Sequence, residues 1–258
     1  MTEITAWFSR NGRHDLPWRQ TRDRWAVLVS EVMLHQTQVP RVAAAWDDFL
    51  ARFPTPGAVA AAGPGAVIAA WGRLGYPRRA RRLWEAATVI TDLGWPDDLA
   101  ALPGVGRYTA RAVGAQVDDA DLPAVEVNGR RVAERVTGRA LPHRDAEMVM
   151  REIGAPLHGR DRLLALMDVG ALVCRVREPR CGECPLQPRC VTRGARNGER
   201  RSRQGKFEGS FRQRRGRVMA RLRAGEAADV ASLDGEALAS LVDDGLAVVD
   251  GEAIARLP

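Results

Sequence analysis

Every cysteine of the chain falls between Cys174 and Cys190, in CRVREPRCGECPLQPRC, and this C-x6-C-x2-C-x5-C run constrains the fold more than any other feature. One cysteine closes an apolar helical stretch, LLALMDVGALVC, and three follow in a loop rich in Pro and Gly. In a reducing compartment such clustering favours metal over disulfides. Four thiolates suit either a tetrahedral zinc or a 4Fe-4S cluster, and ligand number alone does not separate them. Spacing does better: zinc sites usually pair two short knuckles, whereas here three cysteines follow one distant one.

The rest of the chain supplies helices for that loop to pack on. Apolar residues recur at helical spacing in RWAVLVSEVML, RVAAAWDDFLARF, AVIAAWGRLG, RRLWEAATVI, YTARAVGAQV and RRVAERV, with Pro or Gly between them. No alternating strand pattern stands out before residue 240, and no repeat of solenoid period is present. The 258 residues suffice to bury a real core. From 191 to 206, VTRGARNGERRSRQGK lacks apolar periodicity and is densely basic, which predicts a flexible linker. Residues 207–258 then predict two short helices and a hairpin turning at Asp250-Gly251, a small winged-helix-like module; a helical tail packed on the main domain is the plainer alternative.

A formal charge of +7 favours a polyanionic partner such as nucleic acid, although nearly all of it is arginine, Lys206 being the only lysine, and codon bias explains part of that excess. The first residues carry early charges and no apolar core, and no later run approaches membrane-spanning length. A cytoplasmic protein without a membrane partner is expected, nucleoid-associated if the polyanion it binds is DNA.

Three short stretches carry candidate chemistry. In LPGVGRYTARAV, Gly104 and Gly106 permit a tight hairpin whose amides, at the start of the next helix, can face a phosphate oxygen; an ordinary helix-helix turn reads the same way. In SEVMLHQTQV, Glu31 stands in a strongly apolar helix, where an ionised carboxylate is costly unless hydrogen-bonded and a raised pKa follows; the alternative is a solvated glutamate on a polar edge. In PAVEVNGRRV, Glu126 precedes Asn128 and the paired arginines Arg130 and Arg131, and could serve a reaction or merely cap a helix or pair with those arginines.

Together these stretches resemble the endonuclease III and MutY superfamily of helix-hairpin-helix DNA glycosylases, and SEVMLHQTQV is similar to the S-E-V-M-L-Q-Q-T-Q-V segment of MutY-type adenine glycosylases, with His35 replacing a glutamine. GRLGYPRRARRL and LMDVGALVC match further family segments, so the resemblance runs from residue 15 to residue 190. It implies a mostly α, two-lobed fold: a six-helix domain over 23–130, an iron–sulfur domain of 1–22 plus 131–190, and the linker and module described above. It implies a 4Fe-4S cluster on Cys174, Cys181, Cys184 and Cys190. Duplex DNA holding a mismatch or lesion would be the partner of a monomer, with one nucleotide flipped into a cleft. DNA contacts carried over from the family fall on Gln36, Tyr76, Arg79 and the hairpin residues Leu102, Gly104, Val105, Gly106 and Arg107.

Glu31 matches the family glutamate that protonates adenine N7. The partner carboxylate is an aspartate in D-G-N-V-[KR]-R-V, and an ungapped count from Leu102 lands on Glu126, with Asn128 kept, Val127 in place of glycine and Gly129 in place of valine. At the position of the lysine that forms a Schiff base in bifunctional relatives stands Tyr108, which argues for monofunctional chemistry without choosing the base. The first expectation is adenine excision opposite guanine or 8-oxoguanine. The alternatives are a thymine or uracil glycosylase for mismatches with guanine, whose leaving group has no N7 to protonate, and a catalytically impaired damage sensor, which the departures at 126, 127 and 129 motivate.

Overall fold

Each apolar-periodic segment forms helix in the computed structural model, which describes residues 3–196, 199, 205–225 and 228–258. The helices are α1 (Glu3–Asn11), α2 (Arg24–Leu34), α3 (Val39–Arg52), α4 (Pro56–Trp71), α5 (Arg78–Leu93), α6 (Arg107–Asp118), α7 (Val127–Thr137), α8 (His143–Gly154), α9 (Gly159–Asp168), α10 (Phe211–Arg223) and α11 (Gly235–Asp243). Two compact units emerge, Met1–Glu31 with Gly106–Ser202 and Val32–Val105 with Arg203–Pro258. The second half of the basic linker expected over 191–206 lies outside the described residues, apart from Glu199, Gly205 and Lys206.

In the first unit, Ile4, Trp7 and Phe8 of α1 meet Val132 and Val136 of α7, Met150 and Ile153 of α8, and Leu164 and Leu166 of α9. The α8 segment buries Ala146, Met150 and Ile153, one face at helical spacing that the sequence reading passed over. Helix α9 continues through a π-helical turn, Val169–Val173, and delivers Cys174 to the edge of this core. There Gly170 is needed for close approach, since a Cβ on it would stand 2.7 Å from Asn128 Cβ at the start of α7. Asp168, fully buried, receives a two-pronged guanidinium from Arg19, at 2.6 and 2.9 Å, and both Nε and the backbone N–H of Arg13. The residues between α1 and α2 are thereby tied to the helix that leads to the cysteines.

In the second unit, α4 and α5 pack together around Val59, Val67, Ile68, Leu83 and Ala87. Gly63, at φ 78°, and Pro64 kink α4. The C-terminal segment belongs to this unit: α10 and α11 accompany a three-stranded antiparallel sheet of β1 (Ala228–Asp229), β2 (Val248–Val249) and β3 (Ile254–Arg256), with β3 central. The expected hairpin is present, and Asp250 holds its turn by accepting the backbone N–H groups of Glu252 and Ile254. Strand β1 corrects the reading that strands begin only after 240; two residues are too few to show a period. Arg81 of α5 donates to the Asp244 carbonyl, 2.8 Å away, and the Pro258 carbonyl presses on α4 so closely that a Cβ at Gly65 would meet it at 2.2 Å. The module is thus docked on the α4–α5 pair.

Asp168→Asn leaves two guanidinium groups facing a neutral amide in a buried setting. It is expected to cost about 3–5 kcal/mol of unfolding free energy, read from a denaturant midpoint. Burial alone would raise the Asp168 pKa, but Arg19 and Arg13 outweigh it and hold the carboxyl below its ordinary value. The stabilisation is therefore present at neutral pH and is lost as pH falls through that lowered value, so the variant should lose less than the native chain on acidification.

Candidate active site

The first unit brings the buried Glu31 and Gln116 and the half-buried Tyr108 and Glu126 into one group. Glu31 lies on the inward face of α2, 3 % exposed, among Val27, Leu28 and Val32. Gln116 Nε2 donates to its Oε1 at 2.7 Å, and the Tyr108 hydroxyl is its second hydrogen-bond partner. Burial pushes the Glu31 carboxyl above the usual carboxylate range; Gln116, Tyr108 and the charge of Arg19 oppose the rise without cancelling it, and the nearby charge of Glu126 adds to it. Burial, then the charges of Glu31 and Glu126, hold the Tyr108 hydroxyl well above its usual pKa, so it stays a neutral donor.

Glu126 is the N-cap of α7. Its Oε2 accepts from the backbone N–H of Asn128 at 2.7 Å and from Asn128 Nδ2 at 3.0 Å, while Oε1 accepts from Gly129 N–H at 2.6 Å. The capping role that the sequence left open is therefore real, yet the same carboxyl is close enough to Glu31 to add to the rise of its pKa. Burial raises the Glu126 pKa, against the pull of the two backbone amides, Arg131 and the Asn128 side chain. Gly129 now has a reason: a Cβ there would stand 2.8 Å from Met150 Cε, so Met150 fills the space that a valine would take. Val127 faces solvent, 73 % exposed. Asn128 is held in turn by Arg131, which donates to its Oδ1 at 2.8 Å and to the Gly170 carbonyl at 2.7 Å.

The four cysteines gather at one edge of the same unit. Cys174, Cys184 and Cys190 pack on its core, and Cys181 and Cys184 share a single 3-10 turn. Arg135 Nη1 approaches Cys174 Sγ at 3.5 Å, and the backbone N–H of Arg193 approaches Cys190 Sγ at 3.4 Å. Burial, with the other three cysteines adding to it, pushes the Cys184 thiol up to about 11. Among the described residues no three His, Cys, Asp or Glu groups stand as close as a single bound ion requires. The donor set is all sulfur, with N–H groups approaching two of the sulfurs, a donor chemistry compatible with a thiolate-held cluster.

Residues 29–157 match the HhH-GPD superfamily of base excision DNA repair proteins. The adenine DNA glycosylase of Mycobacterium tuberculosis is 44% identical over 254 residues, covering 87% of this chain and 79% of that protein. The chain belongs to this superfamily. It is a DNA N-glycosylase. The solved structure of a thermostable thymine-DNA glycosylase aligns with 74% of the chain and 93% of its own at 27% identity and TM-score 0.66. A trapped endonuclease III-DNA covalent intermediate shares the fold at TM-score 0.63 and 21% identity, over 74% of this chain and 92% of that one.

The positions expected to touch DNA are divided between surface and interior in the glycosylase. Gln36 and Tyr76 are exposed and hold left-handed backbone, φ 57° and 47°, so each side chain is presented from a constrained turn. Arg79 turns inward instead: its guanidinium donates to the carbonyls of Val32, Met33, Leu74 and Gly75 and to Thr37 Oγ1, within 3.2 Å. Leu102 and Val105 are buried anchors of the hairpin turn. Gly104, at φ 76°, has Arg82 Cβ 2.6 Å from where its own Cβ would lie. Gly106, exposed, caps α6 through no side chain, and a Cβ on it would meet nothing within 4 Å. Arg107, exposed, shares Glu147 with Arg111 and His143.

Sequence reasoning passed over Gln116, Arg19 and Asp168. The available signal was the same one that marked Glu31, a polar residue at a core-facing helical position, as in AVGAQV and LMDVGALV.

The raised Glu31 pKa has a consequence for stability. Between the ordinary glutamate range and the raised value, the folded chain keeps a proton that the unfolded chain has lost, so stability falls as pH rises through that window. Glu31→Gln should flatten the decline, giving a melting temperature at or above that of the native chain at neutral pH and a smaller advantage in acid. Thermal melts over a pH series check this; an unchanged slope would mean that Glu31 titrates as a free carboxyl does.

Proposed function

We propose that the glycosylase is a monofunctional, monomeric enzyme that flips adenine out of duplex DNA where it is mispaired with guanine or 8-oxoguanine and hydrolyses its N-glycosidic bond. The observation that carries this reading is the buried Glu31 carboxyl, its pKa raised by burial and its oxygens bonded by Gln116 and Tyr108, in one group with the helix-capping carboxyl of Glu126. Releasing a purine needs an acid for the base and an anion near the sugar, whose anomeric carbon gains positive charge as the bond breaks. Glu31 suits the first task because burial raises its pKa and so favours its protonated form. Glu126 suits the second because, although burial raises its pKa, two backbone amides and the Asn128 side chain hold its carboxyl oxygens and, with the charge of Arg131, favour the ionised form. Tyr108 donates to Glu31 and cannot form a Schiff base, and Lys206, the only lysine, lies in the other compact unit.

The same reading takes Cys174, Cys181, Cys184 and Cys190 as ligands of a 4Fe-4S cluster that organises the loop beyond α9. It takes Gln36, Tyr76 and the amides around Gly104 and Gly106 as DNA contacts, with Arg79 shaping the Tyr76 turn from inside. The six-helix and cluster lobes, over 23–130 and over 1–22 plus 131–190, and a winged-helix-like role for 207–258, belong to it too, as functional divisions rather than contact-dense units. So does a cytoplasmic location. One observation favours a second reading: the likeness to a thymine-DNA glycosylase structure, with Tyr108 compatible with either base.

Duplexes carrying A opposite G, A opposite 8-oxoguanine, T opposite G and U opposite G, treated with alkali after incubation, should be cut at adenine; preferential loss of thymine would put the second reading first. Glu126→Gln should lower single-turnover excision by about a hundredfold or more, since a neutral amide cannot balance the sugar's charge. A wild-type rate for that variant would leave Glu126 as a cap only and return the protein to the damage-sensor reading. Protein purified without oxygen should be brown and contain iron, and a colourless preparation with stoichiometric zinc would remove the cluster assignment.

A further inference from the structure

Gln116 lies two turns along α6 from Tyr108, is 1 % exposed, and makes its only side-chain hydrogen bond among the described residues to Glu31. Its Oε1 is buried without a partner. An amide so placed forgoes part of its hydrogen bonding, which an apolar side chain of the same size would not. Packing of α6 therefore does not account for it, since the face it shares is built from Ala112, Val113 and Ala115. The groups facing Glu31 are Gln116 and Tyr108 from α6, Arg19 from the turn after α1 and Glu126 from the start of α7. Of these, Gln116 and Tyr108 are the hydrogen-bond donors, and Gln116 is the neutral one that cannot titrate.

We propose that Gln116 is a positioning residue for proton delivery: its amide orients the Glu31 carboxyl and receives the carboxylate left behind when the proton has moved to the departing base. The inference rests on the reading of Glu31 as the base-side acid. In that step the Glu31 O–H bond breaks and an N–H bond forms on the base, while the electron pair of the glycosidic bond leaves with the base. Water then adds its oxygen to the sugar cation and returns a proton to Glu31. A donor already aimed at the developing carboxylate lowers the barrier without reorganisation, because it is bonded to that oxygen before the proton leaves. Burial makes Glu31 hold its proton; Gln116 makes it able to give the proton up.

The test is Gln116→Leu, with Gln116→Met as a straight-chain apolar control, in single-turnover excision across the pH range. Losing one hydrogen bond to a charged group should slow excision by about tenfold and move the alkaline limb of the profile upward by about one pH unit. Binding to the mismatched duplex should stay near native. Adding Gln116→Leu to Glu31→Gln should cost nothing further. A readout without turnover supports the same conclusion: the pH window over which stability declines should extend upward in both Gln116 variants. A lowered melting temperature with an unmoved alkaline limb would reduce Gln116 to a packing residue and overturn the inference. If Glu31→Gln itself excises adenine at the native rate, the acid reading fails first, whatever Gln116 does.

Discussion

Asp168 is the buried charge on which the first unit depends. A carboxylate with no exposure is tolerable only when its charge is matched and its lone pairs are filled, and Arg19 and Arg13 do both. The pairing joins residues far apart in sequence, so the segment before α2 is held against the end of α9. From that end the π-helical turn carries Cys174 outward. Arg19 also reaches Glu31 electrostatically, which links the structural ion pair to the candidate chemistry. Such a pair contributes less net stability than its geometry suggests, because desolvation offsets much of the attraction. Its importance lies in what its loss would leave unpaired.

Around it the unit separates two carboxyls by environment. Glu31 is buried among apolar residues, which favours the protonated form, and the donors Gln116 and Tyr108 oppose this without cancelling it. Glu126 stands at a helix N-terminus, where amide dipoles and two N–H groups favour the ionised form, although burial still raises its pKa. The Glu126 charge adds to the rise that burial imposes on Glu31. The extra methylene of Glu126, relative to the family aspartate, is accommodated in a cap closed by Gly129 and backed by Met150.

The basic C-terminal segment has a more local character than its charge suggests. Arg214 pairs with Asp234 and Glu236, and Arg215 with Asp244, so these α10 arginines bind the module to itself. Arg81 and the chain end then fix the module to α4 and α5. A high positive charge read from composition is a count of groups. How much of it reaches a polyanion depends on which groups already have partners.

The helices, the hairpin at Asp250-Gly251, the loop of four cysteines and the candidate carboxyls Glu31 and Glu126 were legible in the sequence, because each rests on local chemistry: periodicity, turn residues, spacing, or a charge set among apolar neighbours. Membership of the superfamily followed from the same short segments. What the sequence could not determine was which polar groups meet. Gln116 reaches Glu31 across more than eighty positions, Arg19 reaches Asp168 across about 150, and Arg79 turns inward to five acceptors although its neighbourhood reads as surface. Nor could it decide whether Glu126 caps α7, since that turned on the backbone there. Partners brought together by chain folding leave no pattern along the chain. Only the packing of α2, α6 and α7 decides whether a buried polar side chain is stranded or hydrogen-bonded.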